Sequence, residues 1–304
     1  MAEHGKLQTN LEYWLARLVI GFFAMLPLSV AIRLGAAIGM VGMWMGKLRR
    51  TGRRNLELAF PELRADEREK LLRGSFKNLG RLLGVFSHFR EASAETLRET
   101  IHLEGIEHIE SALHDRRGII AFTGHVGGWE LSSYAPSLYG HTFSFLVRRI
   151  DNPKIEALVE EFRTARGNRT IDKKLAAREM VRILRNGEMM GILVDLNALD
   201  REAIFVDFFD VKAATTFVVA KLAVRTGAAI IPIFSPWNEA QQKFMVEVGA
   251  PLKFEPTGEE EEDTRRATQL LTKVVEDWVR SYPDQWLWVH RRWKTRPPGE
   301  PAIY

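Results

Sequence analysis

The chain contains no cysteine. Disulfides, thiolate nucleophiles, thiolate zinc sites and iron–sulfur clusters are therefore excluded. Compartment stays open, because a cytosolic or inner-membrane protein needs no cysteine. A phosphate-binding P-loop and a dinucleotide fingerprint are both missing. So is the G-x-S-x-G of a serine hydrolase. The eight histidines are scattered, with no second one at metal-ligand spacing from any candidate, and no metal is expected. What is present is a globular composition, 46% hydrophobic and 27% charged over 304 residues, long enough for one large domain or two small ones. It excludes disorder, collagen and low-complexity repeats. The net charge of +4 fits an anionic partner: nucleic acid, anionic lipid or a phosphorylated substrate. Eight tryptophans and seventeen phenylalanines favour lipid.

Long apolar runs are also short of what a membrane span needs. Leu18–Ile32 is apolar apart from Ser29 and holds Pro27; Arg33 interrupts; Leu34–Gly46 is apolar again. Neither piece alone reaches the ~20 residues of a straight spanning helix. Three readings follow: a single tilted anchor starting before Arg17, a helical hairpin lying in the interface, or a pair of buried core helices in a soluble protein. A small-residue cleavage site after a short apolar stretch is lacking, which argues against a removed signal peptide. Lys47, Arg49, Arg50, Arg53 and Arg54 follow directly. Such clusters stay on the cytoplasmic side and favour anionic headgroups, at about 1 kcal/mol per charge near the surface.

Beyond this region helices and strands alternate. Helical spacing is read over Asp66–Phe89, Pro153–Ala165, Lys173–Asn186, Thr215–Arg225 and Thr264–Arg280. Strands are read at Gly118–Thr123, Phe143–Val147, Met189–Val194, Ala228–Phe234 and Phe244–Val248. The expected fold is α/β, with a mostly parallel central sheet flanked by helices and an N-terminal membrane-associated helical region. Residues 1–54 read as the membrane anchor or interfacial helices with their basic flank, and 55–304 as one catalytic domain. No internal repeat is present.

The chemical signal is Gly124-His125-Val126-Gly127-Gly128-Trp129-Glu130. His125 follows a buried strand, at the sheet edge where α/β proteins place ligands. On a continuous helix, positions five apart point about 140° away from each other. His125 and Glu130 can meet only with His125 on the turn and Glu130 in the first turns of the helix. Gly127 and Gly128 permit that bend and let a substrate approach the backbone. A carboxylate on one imidazole nitrogen fixes the tautomer and raises the basicity of the other. That makes a general base able to activate a hydroxyl, as acyl transfer requires. Amides at the helix start could hold a developing oxyanion.

The H-x4-E element resembles the histidine–acid box of glycerolipid-type acyltransferases. The wider pattern resembles the bacterial lipid A biosynthesis (late) acyltransferase family. Arg54-Asn55-Leu56-Glu57-Leu58-Ala59-Phe60-Pro61 is similar to its RNL-x-x-AFP element, and Ser75-Phe76-Lys77-Asn78-Leu79-Gly80-Arg81 to its SF-x-N-x-x-R element. Arg148-Arg149-Ile150-Asp151-Asn152-Pro153 is similar to R-x-x-x-NP. Val206-Asp207-Phe208-Phe209 with Ala214-Thr215-Thr216 matches V-x-FFG and A-T-T, and residues 285–297 match QW-x-W-x-HRR…RP. The order and spacing carry the likeness, from about Leu11 to Pro298. Two departures stand out. Leu196 follows Asp195 where the family has glutamine, and Asp210 follows the paired phenylalanines where it has glycine. Both are expected near the pocket.

The resemblance implies transfer of a fatty acyl group from acyl carrier protein or acyl-CoA to a hydroxyl of a lipid A precursor or related glycolipid, with no cofactor. His125 would take the hydroxyl proton and Glu130 would orient it. Arg148 would bind a phosphate or help the oxyanion, Asn152 would support that loop, and Gly127 and Gly128 would admit substrate. Asp195 would close the pocket or pair with Arg148. Thr215 and Thr216 read as a helix N-cap. Arg291, Arg292, Lys294 and Arg296, beside Trp286, Trp288 and Trp293, would offer a surface to an anionic carrier or to headgroups. No nucleic-acid recognition motif accompanies them. The implied location is the bacterial inner membrane, catalytic domain on the cytoplasmic face. Three other readings stay open: acylation of another phospholipid or amino-acid lipid, a lipid-binding protein with a degenerate site, and an esterase or thioesterase.

Overall fold

The computed structural model describes residues 5–147, 150–172, 176–199 and 203–304. The N-terminal apolar stretch is not one helix. α1 (Lys6–Ala24) ends before Pro27, which caps α2 (Leu28–Gly39); a 3₁₀ turn (Met40–Trp44) and α3 (Gly46–Ala59) follow. Proline lacks the N–H that would continue the α1 ladder, so the chain turns there. Among the described residues no single helix is long and apolar enough to cross a membrane. The Leu28–Trp44 and Gly46–Ala59 pieces pass that test only as a pair, bent by 92°. The straight tilted anchor is therefore not what forms.

After α4 (Ala65–Phe86) the elements are α5 (Ala94–Thr100), β1 (Ile101–Glu104), α6 (Ile106–His114), β2 (Ile119–Thr123), α7 (Leu131–Ser137), β3 (Ser144–Val147), α8 (Pro153–Thr164), β4 (Arg169–Asp172), α9 (Ala176–Arg185) and β5 (Met189–Leu193). Then come β6 (Ala203–Phe208), β7 (Val211–Thr216), α10 (Val218–Thr226), β8 (Ala229–Phe234), β9 (Trp237–Asn238), β10 (Lys243–Val248) and α11 (Glu260–Ser281). The main sheet runs β1-β10-β8-β2-β5-β3-β4, with β9 on β10. Only the β10 pairings with β8 and β9 are antiparallel. The α/β fold with a mostly parallel sheet is thus as expected.

β2 lies between β5 and β8, and all five of its residues are buried, as a strand covered on both faces requires. Alternation divides them between two cores. Ile120 and Phe122 join Leu271, Val275 and Trp286; Ile119 and Ala121 join Leu131, Tyr134 and Leu158.

The N-terminal helices are locked to this body by glycine. A Cβ on Gly35 would fall 2.1 Å from the Gly80 carbonyl oxygen, and one on Gly80 would fall 1.8 Å from that of Gly35. Gly39 meets the Phe76 carbonyl and Gly84 that of Ala31 in the same way. α2 and α4 therefore cross with backbones in contact, burying Leu28, Ala31 and Ile32.

One local reading holds only in part. Thr215 and Thr216 end β7, and α10 begins at Val218 with Phe217 at its N-cap position; of the two only Thr216 reaches the helix, its Oγ1 accepting from the Val218 N–H at 3.5 Å. β6 and β7 form a hairpin whose two loop residues, Phe209 and Asp210, have φ of 52° and 57°. Positive φ at both positions is the type I′ signature, which glycine adopts at least cost. The family's glycine falls on Asp210, whose short polar side chain tolerates this region. Asp210 is exposed in the turn and does not line the cavity beside β2.

Candidate active site

β2 ends at Thr123 and the chain passes through Gly124 to His125 at the carboxyl edge of the sheet. β5, the parallel neighbour of β2, ends at Leu193 and delivers Asp195 to the same edge. The two meet. His125 Nδ1 lies 2.7 Å from Asp195 Oδ1, and the His125 backbone N–H donates to Oδ2 at 2.7 Å. The Trp286 indole N–H also donates to Oδ2, at 2.7 Å. The Asp195 carboxylate is buried, which by itself would raise its pKa. The charge of His125 and the hydrogen bonds from His125 and Trp286 override burial and hold it at about 2. Its stabilising contribution is in place above the ordinary carboxyl value, near 4, and is lost as pH falls toward 2.

This corrects the expected pairing. Glu130 is not the carboxylate on His125: both its oxygens are taken by Arg163 of α8, at 3.0 Å from Nε and 2.6 Å from Nη2. The reason lies in the glycine turn. Gly127 has φ of 62°, its N–H donates to Gln285 O, and the Gly128 N–H donates to Ser235 O. The bend is pinned to the 235 and 285 segments, so Glu130 starts α7 and faces α8. The same bonds occupy the glycine amides, which are not free for an oxyanion. Nor does a substrate use the space a side chain would fill. A Cβ on Gly127 would sit 2.1 Å from Ser235 O, and one on Gly128 2.8 Å from the Phe244 ring. The Trp129 and Glu130 amides make no protein hydrogen bond among the described residues.

Beside the dyad a cavity of about 530 Å3, its open mouth included, runs between β2, β3, β5 and the helices α7 and α8. Its walls are largely apolar, with Phe122, Phe145, Leu146, Ile192 and Ile233 among them, while Glu130 and Arg163 supply charge. Trp129 joins it to the dyad: the ring lines the cavity and its centroid is 5.0 Å from that of His125. His125 Nε2 has no hydrogen-bond partner among the described residues, so the imidazole keeps one nitrogen for chemistry.

Arg148 lies outside the described residues. Asn152 does not line the cavity. It caps α8, accepting from the Lys154 and Ile155 amides, and its Nδ2 donates to Thr9 O at 3.0 Å and Glu12 Oε2 at 2.9 Å. α1 is thereby held at the start of α8.

The C-terminal segment is not the cationic surface expected. Trp286, Trp288, Trp293 and Arg292 are fully buried; only Arg291 and Lys294 of that group are exposed. Several motif residues prove to be its clamps. Asn55 Nδ2 donates to the carbonyls of Trp288 and His290, Ser75 to that of Trp286, and Asn78 to those of Gly127 and Gln285. Sequence reasoning missed Trp286 and Arg163 as site residues. Asp195 carried a signal, a lone carboxylate ending an apolar strand, but its partner could not be read from spacing.

Burial lowers the pKa of His290 to about 4. Between roughly pH 6.5 and 4 the unfolded chain binds a proton that the native chain does not. Stability therefore falls on acidification through that window, by about 1.4 kcal/mol per pH unit from this residue. His290→Phe is expected to flatten the curve of unfolding free energy against pH between 6.5 and 4. Urea titrations at several pH values would show it; an unchanged slope would assign the acid sensitivity elsewhere.

An α/β sheet edge that carries a His–Asp pair beside an apolar cavity is the arrangement of an enzyme acting on an apolar substrate, by hydrolysis or by group transfer. Residues 2–295 match the family described as bacterial lipid A biosynthesis acyltransferase, and the chain belongs to that family. It is an acyltransferase. The chain is 31% identical over 301 residues to the lipid A biosynthesis lauroyltransferase of Escherichia coli, covering 96% of this chain and 95% of that one. It is 27% identical over 298 residues to the palmitoleoyltransferase of the same organism (96% and 95% covered). Over 297 residues it is 22% identical to the myristoyltransferase (96% and 91%).

Proposed function

We propose that the protein moves a fatty acyl chain from an acyl thioester to a hydroxyl of a lipid A precursor or related glycolipid at a membrane surface. The observation that carries this reading is the His125–Asp195 pair at the edge of an apolar cavity. His125 Nε2 takes the proton of the acceptor hydroxyl as its oxygen attacks the thioester carbonyl. The tetrahedral intermediate collapses, the carbon–sulfur bond breaks, and the imidazolium returns the proton to the leaving thiolate. Asp195 keeps the imidazole in the accepting tautomer and stabilises its charged form. The acyl chain occupies the cavity, and the Glu130–Arg163 pair is the polar rim that orients the thioester end. Arg148 keeps its proposed role as a ligand for phosphate or oxyanion on its chemistry alone. The donor is acyl carrier protein or acyl-CoA, each anionic and matched by the basic balance of the chain.

Gly191 sets the depth available to the chain. It lines the cavity, and a Cβ there would lie 3.0 Å from the Phe145 ring. Gly191→Val is expected to shift the transferred chain toward shorter acyl groups, read by mass spectrometry of products from a mixed-donor assay.

The membrane reading rests on α1. Leu7, Leu11, Trp14, Leu15, Leu18, Phe22 and Met25 are exposed along one helical stripe, joined by Trp44 and Met45 after α2. Residues 5–50 hold six Lys and Arg and a single acidic residue, Glu12. An apolar stripe flanked by cations is the signature of a helix lying in an anionic interface. It supports a working location on the cytoplasmic face of the bacterial inner membrane. Trp14→Asp with Leu18→Asp is expected to weaken co-sedimentation with anionic vesicles by at least ~10-fold, with the unfolding midpoint unchanged because both side chains are exposed.

The assay that tests the function supplies purified protein with an acyl thioester, with and without a lipid A precursor. The expected product is the precursor heavier by one acyl chain. Free fatty acid at the same rate without acceptor would establish a thioesterase, and binding of lipid without turnover a degenerate site.

A further inference from the structure

We infer that Trp286 and Arg292, from the C-terminal segment, are positioning residues that hold the Asp195 carboxylate on His125; the inference rests on the assignment of His125 as the base. Asp195 sits just beyond the end of β5, where the sheet no longer restrains it. Two supports replace the sheet. The first acts on the carboxylate itself. The Trp286 indole donates to Oδ2, the oxygen that also accepts the His125 backbone N–H, which leaves Oδ1 to face the imidazole. The indole cannot swing away. Its backbone carbonyl accepts from Ser75, Val126 bridges to it, and its ring packs against Trp288 and Phe208 at centroid distances of 4.6 Å and 5.4 Å.

The second support acts on the following residues. Arg292 is fully buried and has no carboxylate within salt-bridge distance among the described residues. Its Nη1 donates to Leu196 O at 3.3 Å and Ala214 O at 2.7 Å, and its Nη2 to Thr215 Oγ1 at 2.5 Å. Ala214 O also accepts the Ala198 N–H, so the guanidinium staples the residues after Asp195 to β7. A guanidinium buried among neutral acceptors is costly unless a charge in the same region compensates it. Burial holds the guanidinium pKa down to about 10, and Asp195 and Tyr304 offset part of that cost. Cation and anion thus share one core without touching, and the hydrogen bonds of Asp195 remain for His125 and Trp286.

Trp286→Phe keeps an aromatic ring and deletes the N–H. Loss of one hydrogen bond to a buried carboxylate is expected to lower kcat by roughly 10- to 100-fold. KM for donor and acceptor should stay within about twofold, because neither substrate meets the indole nitrogen. The downfield proton resonance of the His125–Asp195 hydrogen bond should move or broaden. Arg292→Lys, keeping charge without the fork, should fall between wild type and Arg292→Met in kcat. If Trp286→Phe does not fold, benzothienylalanine at 286 keeps the shape and carries sulfur in place of the N–H. A wild-type kcat and an unmoved resonance in the folded variant would overturn the inference. Asp195→Asn separates the two levels. If it is inactive while Trp286→Phe is not, only this inference fails; if it is fully active, the base assignment fails with it.

Discussion

Asp195→Asn is expected to lower the rate of acyl transfer on the order of 1,000-fold, with the protein folded. An asparagine is nearly the same shape, so the cavity is untouched. Its oxygen would still accept from Trp286 and the His125 backbone, which turns its NH₂ toward Nδ1. The imidazole must then carry its proton on Nε2, the nitrogen that has to accept one from the acceptor hydroxyl. A base locked in the wrong tautomer loses most of its catalytic contribution. Glu130→Gln provides the contrast. It removes the charge paired with Arg163 at the cavity rim, and the expected outcome is a raised KM with kcat within ~10-fold of wild type. Steady-state kinetics on both variants decide between the observed dyad and the H-x4-E pairing read from spacing. If Glu130→Gln were the inactive one, the roles of Asp195 and Glu130 would be reversed.

Gly80→Leu is expected to destabilise the protein by more than ~3 kcal/mol, enough to leave much of it unfolded or aggregated at 37 °C. The obstruction is a carbonyl, 1.8 Å from the new Cβ, rather than a side chain that can rotate. Only separation of α2 from α4 relieves it, which would uncover Leu28 and Ile32. α4 also carries Ser75 and Asn78, which grip the 285–286 backbone and the Gly127 carbonyl. Displacing that helix therefore loosens the active-site turn as well as the N-terminal region. Gly21→Ala, with nothing within 4 Å of the added methyl, should be neutral or stabilising by up to ~1 kcal/mol. Denaturant melts of the two variants measure both; equal stability would mean that the helices do not cross this closely.

The parts of the fold that sequence reveals are those dominated by local pattern. β2, β5 and β8 are runs of apolar residues, Lys243–Val248 alternates outward and inward, and α4 and α11 repeat an apolar face over six turns. The β6–β7 hairpin is hidden because its turn is Phe209-Asp210 rather than a glycine pair, and because Ala213, Ala214, Thr215 and Thr216 suit a helix as well as a strand. β1 and β4 are four-residue edge strands with exposed polar residues, too short to carry a clear apolar pattern. His125 is legible because histidine after a buried strand and before two glycines is chemically pointed. Its carboxylate is not, because strand order, which linear spacing does not contain, brings position 195 beside position 125. Ser75, Asn78 and Asn55 read in the sequence as family marks without a function; contacts more than 200 residues along the chain, to 285–290, give them one.

The most direct test is the initial rate of acyl-group appearance on a lipid A precursor in anionic vesicles, measured for wild type and for His125→Ala under saturating acyl thioester. Wild type should yield the singly acylated product and the alanine variant at least ~1,000-fold less, with unchanged circular dichroism and vesicle binding. A variant that transfers the chain at the wild-type rate would show that the imidazole is not the base and that the reaction takes place elsewhere on the molecule.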